Sequence, residues 1–285
     1  MIKKIKYFIE AIFIYTFFGI AKLIGLALSR KLFSLIFKIF GPIIRSNKIA
    51  FKNMEIFSSN ISNIRKKEIV NNMWSNYGMT FVEYIFLKKL RNSNSHIEIL
   101  GKDILNDIII ENKPVVFISG HFANFELMSM ELTKRKIKLA TIYRPLNNFF
   151  LNPFMEYLRK KYICKNQIKK GINGVKTTVK YIKKGHNIAL MIDQRVSEGE
   201  KIRFFNRKAF TTTLPAQLIS KYNLKAVPIF IERNKSNKFI MQIFKPIEFS
   251  KNKDKLYISN ELNKVLENMI VKNPNQWIWT HNRWK

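Results

Sequence analysis

The spacing of apolar and polar positions changes twice along the chain, and each change predicts a different architecture. From Phe8 to Leu28 the chain is almost continuously apolar, interrupted only by Glu10 and Lys22, and Leu32–Phe40 continues that character between Arg30, Lys31 and Lys38. Basic flanks around an aromatic-rich apolar face suit a helix inserted in, or lying on, an anionic bilayer. A clean crossing segment wants about 20 apolar residues with few charges. Glu10 and Lys22 blur that pattern and also fit a cleaved signal peptide poorly. The alternative is a buried helical hairpin of a soluble protein. Between Phe57 and Leu90, Ile64, Ile69, Met73, Trp74, Tyr77, Phe81, Tyr84 and Ile85 recur at helical spacing, which predicts one or two helices.

Beyond residue 95 short apolar runs alternate with helical patterns. Strands are expected at Ile97–Leu100, Val115–Ile118, Lys138–Tyr143, Asn187–Ile192, Ala226–Ile231 and Phe239–Phe244. Helices are expected over Ile104–Glu111, from Asn124, over Asn147–Tyr162 with Pro153 as a kink or restart, and over Gly171–Lys184. Two more are expected, at Thr211–Tyr222, opened by capping threonines, and at Asn252–Ile270; residues 195 to 210 read as a loop. This alternation predicts an α/β fold whose mainly parallel central sheet is flanked by helices on both faces. The chain divides into an amino-terminal membrane-associating helical region, residues 1–45, and a catalytic unit, residues 46–285.

Pro114–Glu126 carries the strongest chemical signal. Val115–Ile118 is a buried-strand pattern, Ser119-Gly120 breaks it, His121 follows, and a helix begins near Asn124. In α/β folds reactive groups gather in such turns at strand carboxyl ends. Two helical residues five apart point about 140° away from each other. His121 and Glu126 therefore meet only if His121 stays in the turn while Glu126 occupies the first helical turn, where the helix dipole favours negative charge. A carboxylate on one imidazole nitrogen fixes the tautomer and leaves the other free as a base. The competing reading is a solvated loop histidine and an unrelated helix-start glutamate.

Composition adds a partner class. Lys+Arg 51 against Asp+Glu 19 gives a net charge of +32 over 285 residues, and 47% hydrophobic residues allow a large core. Such a field favours anionic partners: nucleic acid, acidic proteins or a phosphate-rich membrane. Overuse of Lys, Ile, Asn and Phe points to coding bias as part of the cause. No zinc-finger, helix-turn-helix or RNA-binding aromatic signature supports nucleic acid. Cys164, alone, forms no internal disulfide and reads as a small packing residue. His96 and His186 read as surface residues, and no second ligand accompanies them, so no metal site is expected.

Four stretches together carry a family resemblance: Gly120-His121-Phe122-Ala123-Asn124-Phe125-Glu126, Tyr143-Arg144-Pro145, Asp193-Gln194, and the ending from Pro274 through Trp277-Ile278-Trp279-Thr280-His281-Asn282-Arg283-Trp284-Lys285. In order and spacing they resemble the bacterial lipid A biosynthesis late acyltransferases, over nearly the whole chain. The first stretch is a variant of the His-x4-Asp/Glu signature of glycerolipid acyltransferases. The resemblance implies a glycerolipid-acyltransferase-like fold and transfer of a fatty acyl chain from acyl carrier protein to a hydroxyl of a lipid A precursor, a phosphorylated glycolipid. It implies His121 as general base and Glu126 as its orienting carboxylate. It places Arg144, Asp193, Gln194 and Asn124 at the substrate. No cofactor beyond the acyl-carrier co-substrate is implied, and the enzyme would sit on the inner membrane with its catalytic unit in the cytoplasm. Phe204-Phe205-Asn206 resembles a Phe-Phe-Gly loop of the family, with Asn in place of Gly. Three alternatives stand beside this reading: an acceptor that is a glycerol phosphate or another glycolipid, a catalytically dead lipid-binding relative, and a basic membrane-tethered nucleic-acid-binding protein.

Overall fold

A computed structural model describes all residues, 1–285. The first helix, α1, runs Ile2–Ile44 but is two helices in one: Gly25 sits at φ 78, ψ 170, outside helical space and in the region that glycine enters freely. The Ser29 hydroxyl lies 2.8 Å from the Ala21 carbonyl oxygen and 2.6 Å from that of Gly25, so it serves carbonyls that the break releases. Next come α2 (Lys48–Phe57), α3 (Asn63–Glu83, with Ser62 accepting from the Arg65 N–H) and, after a tight turn at Tyr84–Phe86, α4 (Leu87–Asn92). α1 packs along α3 through Phe18, Ala21 and Phe33, all buried.

The α/β unit then unfolds in chain order: β1 (Ile97–Leu100), α5 (Lys102–Glu111), β2 (Val115–Ser119), α6 (Glu126–Lys134), β3 (Leu139–Tyr143), α7 (Asn152–Tyr162), β4 (Asn166–Lys169), α8 (Ile172–Lys183) and β5 (Asn187–Met191). A hairpin follows, β6 (Glu200–Phe204) and β7 (Arg207–Thr211), then α9 (Leu214–Tyr222), β8 (Lys225–Arg233), β9 (Phe239–Ile243) and α10 (Lys255–Lys272). The main sheet is seven-stranded, ordered β1-β9-β8-β2-β5-β3-β4, and parallel at every pairing except β8 with β9. Every residue of β2 is buried, as a central strand covered on both faces requires. Val116 and Ile118 join one core with α3, α9 and α10; Val115 and Phe117 join the opposite core with α5, α6 and α7. The parallel sheet flanked by helices is thus the expected fold.

Local departures have local causes. The segment before α7 is irregular, and Pro153 falls in the first turn of that helix, where its missing N–H costs nothing; it starts the helix rather than kinking it. β4 contributes a single buried residue, Ile168, so its sequence carries little strand signal. Residues 200–210, expected as loop, form with Thr211 the β6–β7 hairpin, its charged letters masking a period-two pattern of Ile202, Phe204, Ala209 and Thr211 turned inward. Thr211 therefore closes β7 instead of capping α9.

Candidate active site

The carboxyl ends of β2, β5 and β3, three adjacent strands, deliver His121, Asp193 with Gln194, and Arg144 to one edge of the sheet. Gly120 permits the turn that carries His121. A Cβ there would lie 2.8 Å from the Phe122 ring and 2.9 Å from Leu266. The Asp193 carboxylate, 2% exposed as a residue, receives three donors: the His121 backbone N–H at 2.9 Å, His121 Nδ1 at 2.7 Å and the Trp277 indole N–H at 2.9 Å. Burial works to raise the Asp193 carboxyl, but the charge and hydrogen bonds of His121, with the Trp277 N–H, outweigh it and hold it at about 2. An ionised Asp193 makes Nδ1 the protonated nitrogen and leaves the lone pair on Nε2. The Gln194 side-chain nitrogen stands 3.4 Å from that Nε2, and the His121 side chain remains 18% exposed. The Phe125 ring packs against the imidazole edge-on at 4.5 Å.

The partner of the imidazole is therefore Asp193, not Glu126. Glu126 does stand in the first turn of α6, but its Oε1 receives Arg159 Nε at 2.8 Å and the Tyr84 hydroxyl, and it makes no hydrogen bond to His121. Burial opposes the charge on Arg159, yet Glu126 and Tyr84 raise its pKa further; burial and the neighbouring carboxylate raise that of the Tyr84 hydroxyl. This is a separate, largely enclosed ionic cluster beside the imidazole loop. Neither Tyr84 nor Arg159 has a sequence signal that marks it.

Asn124 departs from its expected place at the substrate. It is buried, and its amide donates to Glu83 Oε2 at 2.8 Å. Glu83, fully buried, is also held by Arg233 and by Arg30 of α1, each at 2.6 Å, and despite burial those partners keep its carboxyl below the usual range. One turn of α3 earlier, Thr80 donates to the Ala123 carbonyl at 3.0 Å, and the Ala123 N–H donates to the Gln276 carbonyl at 3.2 Å. These bonds fix Ala123 at φ 42, a left-handed conformation that costs a residue with a Cβ on the order of 1–3 kcal/mol. α3 and the carboxyl tail thus clamp the loop that aims His121.

Arg144 is exposed at the end of β3 with no carboxylate partner. Asp193, expected at the substrate, is buried and accepts from the imidazole and the Trp277 indole. Trp277 and Trp279 are buried and Trp284 partly so, which makes the tail core rather than an interfacial belt. His281 accepts the Arg195 backbone N–H at 2.8 Å, and burial lowers its pKa to about 4, leaving it neutral. Arg283 is buried over the Phe204 ring and donates to the Phe210 carbonyl. His96, expected at the surface, is largely enclosed 3.5 Å from Glu131.

An imidazole oriented by a buried carboxylate at the carboxyl edge of a parallel sheet is the arrangement of an enzyme that moves protons during group transfer. Comparison with known proteins supplies the chemistry. The chain belongs to the bacterial lipid A biosynthesis acyltransferase family, whose profile matches residues 2–285, and it is an acyltransferase. It is 23% identical over 247 residues to the lipid A biosynthesis lauroyltransferase of Escherichia coli K12, covering 85% of this chain and 79% of that one. It is 26% identical over 248 residues to the palmitoleoyltransferase of the same organism, at the same coverage of both chains. The Escherichia coli lipid A myristoyltransferase is 19% identical over 241 residues, 82% of this chain and 73% of that one.

Proposed function

We propose that this acyltransferase moves a fatty acyl chain from the thioester of acyl carrier protein to a hydroxyl of a phosphorylated lipid A precursor, with His121 as general base and Asp193 as the carboxylate that orients it. His121 Nε2 takes the hydroxyl proton as the oxygen attacks the thioester carbonyl. The C–O bond forms, the C–S bond breaks, and the departing thiolate takes the proton from the imidazolium. A hydroxyl needs such a base because it is a weak nucleophile until its proton leaves. The developing oxyanion needs donors, and the Phe125 and Glu126 N–H groups at the start of α6 have no backbone acceptor. Arg144, unpaired at the same sheet edge, suits a phosphate of the acceptor. Direct transfer needs no covalent enzyme intermediate, and no Ser or Cys occupies a nucleophile motif. Working from the cytoplasmic face of the inner membrane would give the enzyme its lipid acceptor and its soluble donor at once.

The observation that carries this reading is the 2.7 Å contact of His121 Nδ1 with Asp193, which leaves Nε2 at the half-open edge of the site. Mass spectrometry of the lipid A fraction formed with the purified protein tests it. His121→Ala should abolish the acyl mass increment. Asp193→Asn should cut kcat on the order of 10²–10⁴-fold with KM nearly unchanged, since the general base contributes that much. A fully active Asp193→Asn enzyme would return the orienting role to Glu126 or remove it altogether.

A further inference from the structure

By length and composition α1, Ile2–Ile44, is long and apolar enough to cross a membrane, yet its amino-terminal half is not a free helix. Tyr7, Ala11, Ile14, Phe18 and Ala21 form a shielded seam at helical spacing, with Glu10, its side chain 42% exposed, at the edge. From Tyr7 to Ala21 that seam runs about 21 Å at 1.5 Å per residue. The irregular loop between β3 and α7 fills its first part. Asn148 donates to the Tyr7 carbonyl at 2.8 Å and reaches Glu10 at 3.3 Å, and the Tyr15 hydroxyl donates to the Phe150 carbonyl at 2.9 Å. Phe149 and Phe150 pack edge-on against Tyr7 and Phe8. Further along, Phe18 rests on Phe81 of α3.

Were this helix to span the bilayer, that loop would be carried into the hydrocarbon with its amides and the Glu10 carboxylate. The hydrocarbon core is about 30 Å thick, so most of the seam would lie within it. Irregular backbone facing lipid does not occur at that depth. The opposite face of the helix is bare and apolar: Ile5, Ile9, Ile12, Phe13, Ile20 and Leu23 are 44–89% exposed. Beside it Phe149 and Phe150 remain 48% and 37% exposed. Lys3, Lys4 and Lys6 stand at its start, where anionic headgroups would meet them.

We infer that this half of α1 does not cross the membrane but lies in the surface of one anionic leaflet, with the Leu146–Phe150 loop inserted next to it, so that both ends of the helix stay on the side of the catalytic sheet. The inference rests on the reading of the acceptor as a membrane lipid. It brings the bilayer to the loop that follows Arg144, so a lipid headgroup and an aromatic membrane anchor meet within a few residues of one strand end.

The test uses the full chain in sealed inner-membrane vesicles and a membrane-impermeant maleimide; buried Cys164 supplies the unlabelled background. Lys3→Cys and Ser236→Cys, the latter in the exposed β8–β9 turn, should label from the same side and to the same extent. Labelling of Lys3→Cys only from the face that leaves Ser236→Cys untouched would overturn the inference. The double variant Phe149→Ser, Phe150→Ser should bind vesicles of phosphatidylethanolamine and phosphatidylglycerol at least about tenfold more weakly, given the apolar area two rings bury. Unchanged binding would remove the loop from the membrane face. Acyl transfer to detergent-dispersed acceptor separates the two readings. Activity in detergent with opposite-side labelling overturns the topology alone, whereas same-side labelling with no activity overturns the chemistry alone.

Discussion

Glu126 belongs to the ionic cluster of Arg159 and Tyr84, and that decides what its removal does. Truncating it to Ala removes the only carboxylate beside the Arg159 guanidinium, whose side chain is 12% exposed. An enclosed charge stripped of its partner costs roughly 3–5 kcal/mol. Glu126→Ala should therefore lower the thermal midpoint sharply, while Glu126→Gln keeps an acceptor for Tyr84 and loses less; differential scanning calorimetry of both variants reads the difference. His281 gives a pH signature. Its folded pKa, about 4, lies below the usual 6.5, so its contribution to stability is present above pH 6.5 and is lost as the pH falls from 6.5 towards 4. His281→Gln, whose carbonyl still accepts the Arg195 N–H, should flatten the melting temperature across that window relative to the parent chain. Asp193 acts lower on the scale: its contribution is complete above the ordinary carboxylate range and fades only as the pH drops towards 2.

Elements, taken singly, were readable where their pattern was strong and local. β1, β2, β3 and β5 follow from short apolar runs bounded by breakers, and α10 from helical spacing. The β6–β7 hairpin escaped because Lys201, Arg203, Arg207 and Lys208 dominate its letters, while it is held by distant partners such as Trp284 of the tail and Asn263 of α10. α1 carries a consequence of the same kind. Removing residues 1–40 deletes Arg30 and Phe33 along with the exposed apolar residues of α1. Glu83 would lose one of its two guanidinium partners and α3 would expose an apolar face. Such a truncation should be insoluble, whereas a chain beginning near Phe17 should remain folded with weaker vesicle binding. Expression yield and sedimentation of the two truncations distinguish these outcomes.

For the molecule as a whole, charge and topology decide what no single element does. A net charge of +32 predicts that, with the proposed acyl carrier protein as an acidic donor, kcat/KM falls with rising ionic strength while kcat stays level, because attraction at this range accelerates encounter more than it stabilises the bound state. Steady-state kinetics between low and physiological salt would show it, and a flat profile would remove long-range steering from the account. The sequence alone determined the α/β alternation, the turn that presents His121, the strand ends that carry Arg144 and Asp193, and the apolar amino terminus, since each depends on residues within about a dozen positions of one another. The pairing of His121 with Asp193, 72 residues apart, was decided only when β5 took its place beside β2; strand order is a property of the packed sheet and leaves no local trace. The burial of Asn124 on Glu83 and the capture of Glu126 by Arg159 have the same origin. A carboxylate goes to whichever donor the fold brings within 3 Å, and nearness along the chain does not choose it.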